Sequence, residues 1–227
     1  MKRWAVVVVA LYFVILLALT WPVVVASLYP EVRPGQIPEV FRWPQYWVWL
    51  AVMVCGQAVM LLVPVSVARE RPIPRRSVIW PALASGLMMG LLALGVVGSV
   101  LEFVAQEKAL DMAFEGNAWR GVAVLSAAWA IWTILFYRIS RGAAASDVVT
   151  KQCRYLLKGS ILELLVAVPT HVVARYRDYC CAGVLTFIGI AFGLSVMIFS
   201  FGPGVFFLFA HRWKQLHPQV EGHGSQA

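Results

Sequence analysis

The chain has 227 residues, of which 61% are hydrophobic and only 13% charged, against about 25% charged in globular domains, so a soluble fold is excluded. Its net charge of +8 sits in clusters at the ends of apolar runs. That pattern excludes a basic-aromatic nucleic-acid surface and points to the lipid bilayer, with its anionic headgroups, as partner.

A helix needs roughly 20 apolar residues to cross a hydrocarbon core of about 30 Å. Lys2 and Arg3 precede an apolar run from Ala5 to Ala26. This run is longer than the roughly 7–15 residues of a cleaved signal segment, so it predicts an uncleaved first span over about 4–27. Pro30, Pro34, Pro38 and Pro44 then interrupt the chain, which argues against regular helix there. A second span is expected over about 46–68, ending at Arg69, Arg71, Arg75 and Arg76. A third runs over about 77–104, and a loop with Glu107, Asp111 and Glu115 follows. The fourth covers about 118–137, and 138–154 is polar. The last long apolar run is 182–210, and a disordered tail is expected over 214–227. Residues 1–213 thus read as a single transmembrane helical domain.

Lys and Arg in short loops favour the cytoplasmic side. They cluster before span one, between spans two and three, and after span four (Arg138, Arg141, Lys151, Arg154). The N-terminus is therefore expected in the cytoplasm of a bacterial-type inner membrane. Trp4, Trp43, Trp47, Trp80, Trp119 and Trp213 fall near span ends, as an interfacial aromatic belt requires.

Residues 155–174, YLLKGSILELLVAVPTHVVA, are ambiguous. They are long enough to span, yet they contain Lys158, Glu163 and His171. Ser160, Glu163, Ala167, Thr170, His171 and Ala174 recur every three or four residues and so share one helical face. Leu157, Ile161, Leu164, Leu165, Val168 and Val172 cover the other. Basic residues flank both ends, and a helix lying in the interface keeps both groups in the cytoplasm. The expected fold is an all-α polytopic bundle of five spans plus one cytoplasmic interfacial amphipathic helix, with six spans as the alternative. Pro169 is expected to bend this helix.

Chemistry-bearing residues gather in and after this segment: Glu163, His171, Arg175, Arg177, Asp178, Cys180 and Cys181. With Cys153, the set Cys153, His171, Cys180 and Cys181 has the donor types of a Cys₃His zinc site, although the spacing follows no standard zinc signature. Arg175 and Arg177 can also activate a thiol, and juxtamembrane cysteines accept lipids. The plainer reading has both thiols packing as small apolar groups while Glu163 and His171 pair with arginines. No cofactor is the leading expectation, with zinc or another metal the alternative. Bis-His heme is disfavoured because none of His171, His211, His217 and His223 lies in the first four spans.

Gln57 is the one uncharged polar side chain deep in span two, expected to hydrogen-bond a neighbouring helix. Spans one to four carry no Asp, Glu, Lys or Arg at mid-depth, which argues against an ion-coupled pump. Gly86 and Gly90 form a GxxxG pair, as do Gly189 and Gly193; Ala123, Ala127 and Ala130 line one face of span four. Such faces let helices approach closely, within the bundle or with a partner. Phe201-Gly202-Pro203-Gly204 is expected to kink or end the last span. No GxGxxG, Walker A, GxSxG or HExxH occurs. The expected function is therefore non-enzymatic: an accessory or assembly component that packs with other membrane subunits or with itself, without nucleic acid. The alternative is a membrane protein with a cytoplasmic-edge thiol, metal or acid-base site, acting as an enzyme or metal handler.

Overall fold

Apolar side chains in long unbroken runs leave the backbone nowhere to find water in a bilayer, so each run must satisfy its own N–H and C=O groups as a helix. The computed structural model describes residues 6–18, 44–67, 75–106, 108–109, 118–141, 145–177 and 182–216, with the side chains of 45, 62–67, 75–77, 118, 145–147 and 203–216 outside the described set. No strand occurs among the described residues. The described residues form six helices of ten residues or more: α1 (Val6–Ala18), α2 (Pro44–Val67), α3 (Arg75–Ala105), α4 (Ala118–Ser140), α5 (Ala145–Arg175) and α6 (Val184–Leu216). The chain forms a helical membrane bundle, with four helices long and apolar enough to cross: Val78–Ala105, Trp119–Ser140, Val148–Arg175 and Val184–Gly202. Within the described residues α1 and the apolar part of α2, Tyr46–Leu61, are shorter.

α3 is the organising helix and packs against α2, α4, α5 and α6, while α5 and α6 lie along one another. The core is built from Leu50, Met53, Met60, Met88, Leu156, Val196, Phe136 and Phe199, all 2% exposed or less. Tyr12 of α1 meets the Phe199 ring edge-on, with centroids 6.1 Å apart. Trp47, Trp80 and Trp119 lie exposed near the first turns of α2, α3 and α4, where a lipid-facing aromatic belt belongs.

Residues 155–174 lie within α5, and their packing bears on whether this segment lies in the interface or crosses. The face shared by Ser160, Glu163, Ala167 and Ala174 is buried, whereas Leu162 and Leu165 are 65% and 66% exposed. An interfacial helix keeps its polar face in water; α5 turns that face into the bundle and its leucines outward. This is the arrangement expected of a crossing helix, and α5 is one of the four helices long and apolar enough to span. Pro169 lies within α5 without ending it, as Pro81 does in α3.

Basic residues at both ends of α5 had favoured the interfacial placement, and the packing answers that objection for Arg177. Its guanidinium donates to the carbonyls of Phe103 (3.0 Å) and Glu102 (3.4 Å) and stacks over the Phe103 ring at 5.3 Å. Arg177 thus satisfies the last carbonyls of α3, where the helix dipole favours a cation.

The small residues position the helices. A Cβ on Gly86 would collide with Thr133 of α4, and one on Gly90 would lie 3.1 Å from the Leu125 side chain. The first GxxxG pair therefore seats α4 on α3, and the second, Gly189 and Gly193, faces α5. α6 continues as helix through Gly202 and Pro203 to Leu216, so the motif does not end the helix, although the apolar stretch long enough to cross runs over Val184–Gly202.

Candidate functional site

Glu163 occupies the middle of α5: halfway along 148–175 falls between Ile161 and Leu162. It is 1% exposed, and among the described residues neither carboxylate oxygen has a hydrogen-bond partner. A carboxylate at this depth costs at least about 2.5–3.5 kcal/mol on insertion scales. An uncompensated buried charge is strongly destabilising, which makes this carboxyl the candidate site of the bundle.

Three glycines make room for it. A Cβ on Gly95 of α3 would lie 2.9 Å from Glu163 Oε1, one on Gly189 of α6 would also lie 2.9 Å from it, and one on Gly193 would strike Oε2. The carboxylate therefore sits in a notch between α3 and α6 that any larger residue would fill. The point where Gly189 lacks a Cβ also lies 2.9 Å from Ser99 Oγ and 3.1 Å from the Gly95 carbonyl oxygen.

Ser99 and Thr133 differ from five other helical hydroxyls. Ser85, Ser160, Thr170, Ser195 and Ser200 all donate to the carbonyl four residues back, at 2.6–2.9 Å, a common way for a hydroxyl to be satisfied in a helix. Ser99 is fully buried, and its Oγ makes no hydrogen bond to Gly95, four residues back, or to any other described group. Its hydroxyl, the Gly95 carbonyl oxygen and Glu163 Oε1 all lie against the same position of Gly189.

His171 lies elsewhere. It is eight residues beyond Glu163 on α5, about 12 Å along the axis. Its Nδ1 is 2.9 Å from Thr186 Oγ1 and 3.1 Å from the Gly183 carbonyl. Thr186 Oγ1 donates to that same carbonyl at 3.0 Å. Arg175 touches this corner through its side-chain methylenes: a Cβ on Gly183 would meet Arg175 Cδ and His171 Cε1, each at 3.0 Å. Gly183, at φ +94°, holds a left-handed conformation that favours glycine. Neither described member of the expected pairing occurs as such, since no arginine hydrogen-bonds Glu163, and His171 binds the start of α6.

Asp178, Cys180 and Cys181 lie outside the described residues. The four-ligand zinc set nevertheless fails on its first member. Cys153 precedes His171 by eighteen positions on the same helix, about 27 Å along the axis, and no zinc sphere of about 2.0–2.3 Å bonds joins them. Among the described residues no three His, Cys, Asp or Glu converge on one point. Cys153 is buried and Cys55 exposed.

Two residues gained importance from the structure. Glu102, 1% exposed, accepts from the backbone N–H groups at the start of α6; in the sequence it is one acidic residue near a predicted span end. Gln57 is fully buried, but neither amide atom has a hydrogen-bond partner among the described residues. The expected interhelical hydrogen bond is thus not made among the described residues. The amide nitrogen presses instead against the place where Gly202 lacks a side chain.

The absence of mid-depth charge in spans one to four does not extend to α5, where Glu163 stands at the centre of a helix long and apolar enough to cross. Comparison with protein-family models, with curated proteins and with solved structures finds no match for this chain.

Proposed function

We propose that the protein binds one positive charge, a proton or a monovalent cation, at Glu163 and exchanges it across the membrane. The observation that carries this reading is a carboxyl at the centre of a crossing helix, buried and without a hydrogen-bond partner among the described residues. An intramembrane ionisable group that is not spent on helix packing marks an ion or proton pathway. Glu163 takes the part of the exchangeable group, and the glycine notch keeps larger side chains away from it. This reading departs from both expectations drawn from sequence, the accessory component and the cytoplasmic-edge thiol, metal or acid-base site, and it takes up the ion coupling that the apolar first four spans argued against.

The test is reconstitution into lipid vesicles loaded with a pH-sensitive or sodium-sensitive dye. Wild-type protein is expected to dissipate an imposed proton or sodium gradient, and Glu163→Gln to lose that activity while still inserting. Wild-type vesicles that behave like protein-free vesicles under both gradients would sink the reading.

A second reading, an accessory or assembly component of a membrane complex, is supported by α4. In its most apolar window 6% of residues are buried, against 22–44% in the other three long apolar helices, and Ala123, Ala127 and Ala130 are exposed. A second copy or another membrane subunit would cover this small-residue face. Mild-detergent extraction checks it: a larger assembly is expected, and a lone monomer counts against it. We place the protein in a bacterial-type inner membrane with its N-terminus cytoplasmic, on the distribution of Lys and Arg. No covalent chemistry is assigned to it.

A further inference from the structure

We propose that Glu163 Oε1, Ser99 Oγ and the Gly95 carbonyl oxygen together form a binding site for a small alkali cation. The inference rests on the reading of Glu163 given above and names the ligand of that site. Three oxygens from two helices lie within 2.9–3.1 Å of the single point where Gly189 lacks a Cβ. They converge on one bare stretch of α6 backbone.

The donor set selects the ligand. It is all oxygen, which suits a hard cation, and it contains no imidazole or thiolate of the kind that holds zinc or copper. It carries one formal negative charge. In a low-dielectric interior the bound state must be close to neutral, so one monovalent ion balances the site and a divalent ion leaves an uncompensated charge. A proton also balances the charge, but its one O–H serves one acceptor. An alkali ion engages the carboxylate, the hydroxyl and the second lone pair of the carbonyl at once. Ser99 is the distinguishing residue: its hydroxyl, like that of Thr133 against Gly86, forgoes the backbone bond that five other helical hydroxyls make, and of the two it is the one that shares the Gly189 contact with Glu163 Oε1.

The experiment is equilibrium binding of radiolabelled sodium to the purified full-length protein, with choline chloride holding ionic strength constant. Dicyclohexylcarbodiimide, which modifies protonated carboxyls in apolar surroundings, is used in parallel on the same samples. Wild type is expected to bind one sodium per chain and to be modified at Glu163 more slowly as sodium rises. Glu163→Gln should lose both signals. Ser99→Ala should keep carbodiimide modification but need at least roughly tenfold more sodium to slow it, as loss of a coordinating or supporting group commonly does. Alanine is a better helix former than serine, so this variant is expected to fold, and its elution from a sizing column verifies that. Modification of Glu163 with no sodium binding overturns the cation site and leaves the proton reading of Glu163 standing. Equal sodium dependence in wild type and Ser99→Ala overturns the site as drawn. Absence of both sodium binding and carbodiimide modification overturns the site and the reading beneath it.

Discussion

Glu102 and Thr186, eighty-four positions apart in the chain, are joined by a hydrogen bond of 2.7 Å from the Thr186 backbone N–H to Glu102 Oε2. The other carboxylate oxygen accepts from the Gly183 N–H at 2.5 Å. The last turns of α3 thus cap the first turn of α6, using a charge where the helix dipole favours one. The same corner holds His171 on Thr186 and Arg177 on the α3 carbonyls, so one end of the bundle is tied together by polar bonds that lipid cannot replace.

Glu102→Ala should therefore destabilise the protein by about 1–3 kcal/mol, the cost of leaving buried donors unsatisfied. Glu102→Gln keeps an acceptor and should cost less. Thermal unfolding in detergent measures both, and a Glu102→Ala protein as stable as wild type would remove the cap from the account.

Gly193→Ala puts a methyl group against the Glu163 carboxylate and the Leu164 side chain. Overpacking of this kind costs about 1–3 kcal/mol. Shortening the opposing side chain with Glu163→Ala should recover part of that loss, read as a coupling energy in a double-mutant cycle. Strict additivity would mean that the two residues do not meet.

Gly86→Ala should behave differently. Its Cβ would meet the backbone nitrogen of Thr133 at 2.9 Å as well as the hydroxyl, so α4 itself must move away from α3. Thr133→Ala is expected to rescue little of the loss, in contrast to the Gly193 pair. Unfolding of the single and double variants decides it, and full rescue would place the clash in the side chain alone.

If α5 crosses the membrane, its two ends face opposite compartments. In a background without native cysteines, Arg141→Cys and Tyr176→Cys should react with a membrane-impermeant maleimide from opposite sides of sealed vesicles. Both positions are exposed. Labelling from the same side would restore the interfacial arrangement.

Much of this was legible in the chain itself. The apolar runs announced α3 and the starts of α4 and α6 to within two residues, because a spanning helix needs little beyond length and hydrophobicity, whereas α6 runs past the expected 210 and into the expected tail, to Leu216. The spacing of Ser160, Glu163, Ala167 and Ala174 revealed that they share a face. Its direction was not legible, because an amphipathic period reads the same whether the polar stripe meets water or meets other helices. The GxxxG pairs announced close approach but not its object: α4 for Gly86, and the α5 carboxylate for Gly193. Glu102 gave no signal at all, since its partners are backbone N–H groups eighty-one and eighty-four positions away.

The sequence by itself determined that Glu163 lies on a helix long enough to span and on that helix's polar face, because local composition and a 3.6-residue period dictate both. Only the tertiary structure decided what surrounds it. Whether a mid-helix carboxylate faces water, an arginine or a notch of three glycines depends on which residues of α3 and α6 reach the same depth. That registry is set by van der Waals packing between helices far apart in the chain, which no local pattern encodes.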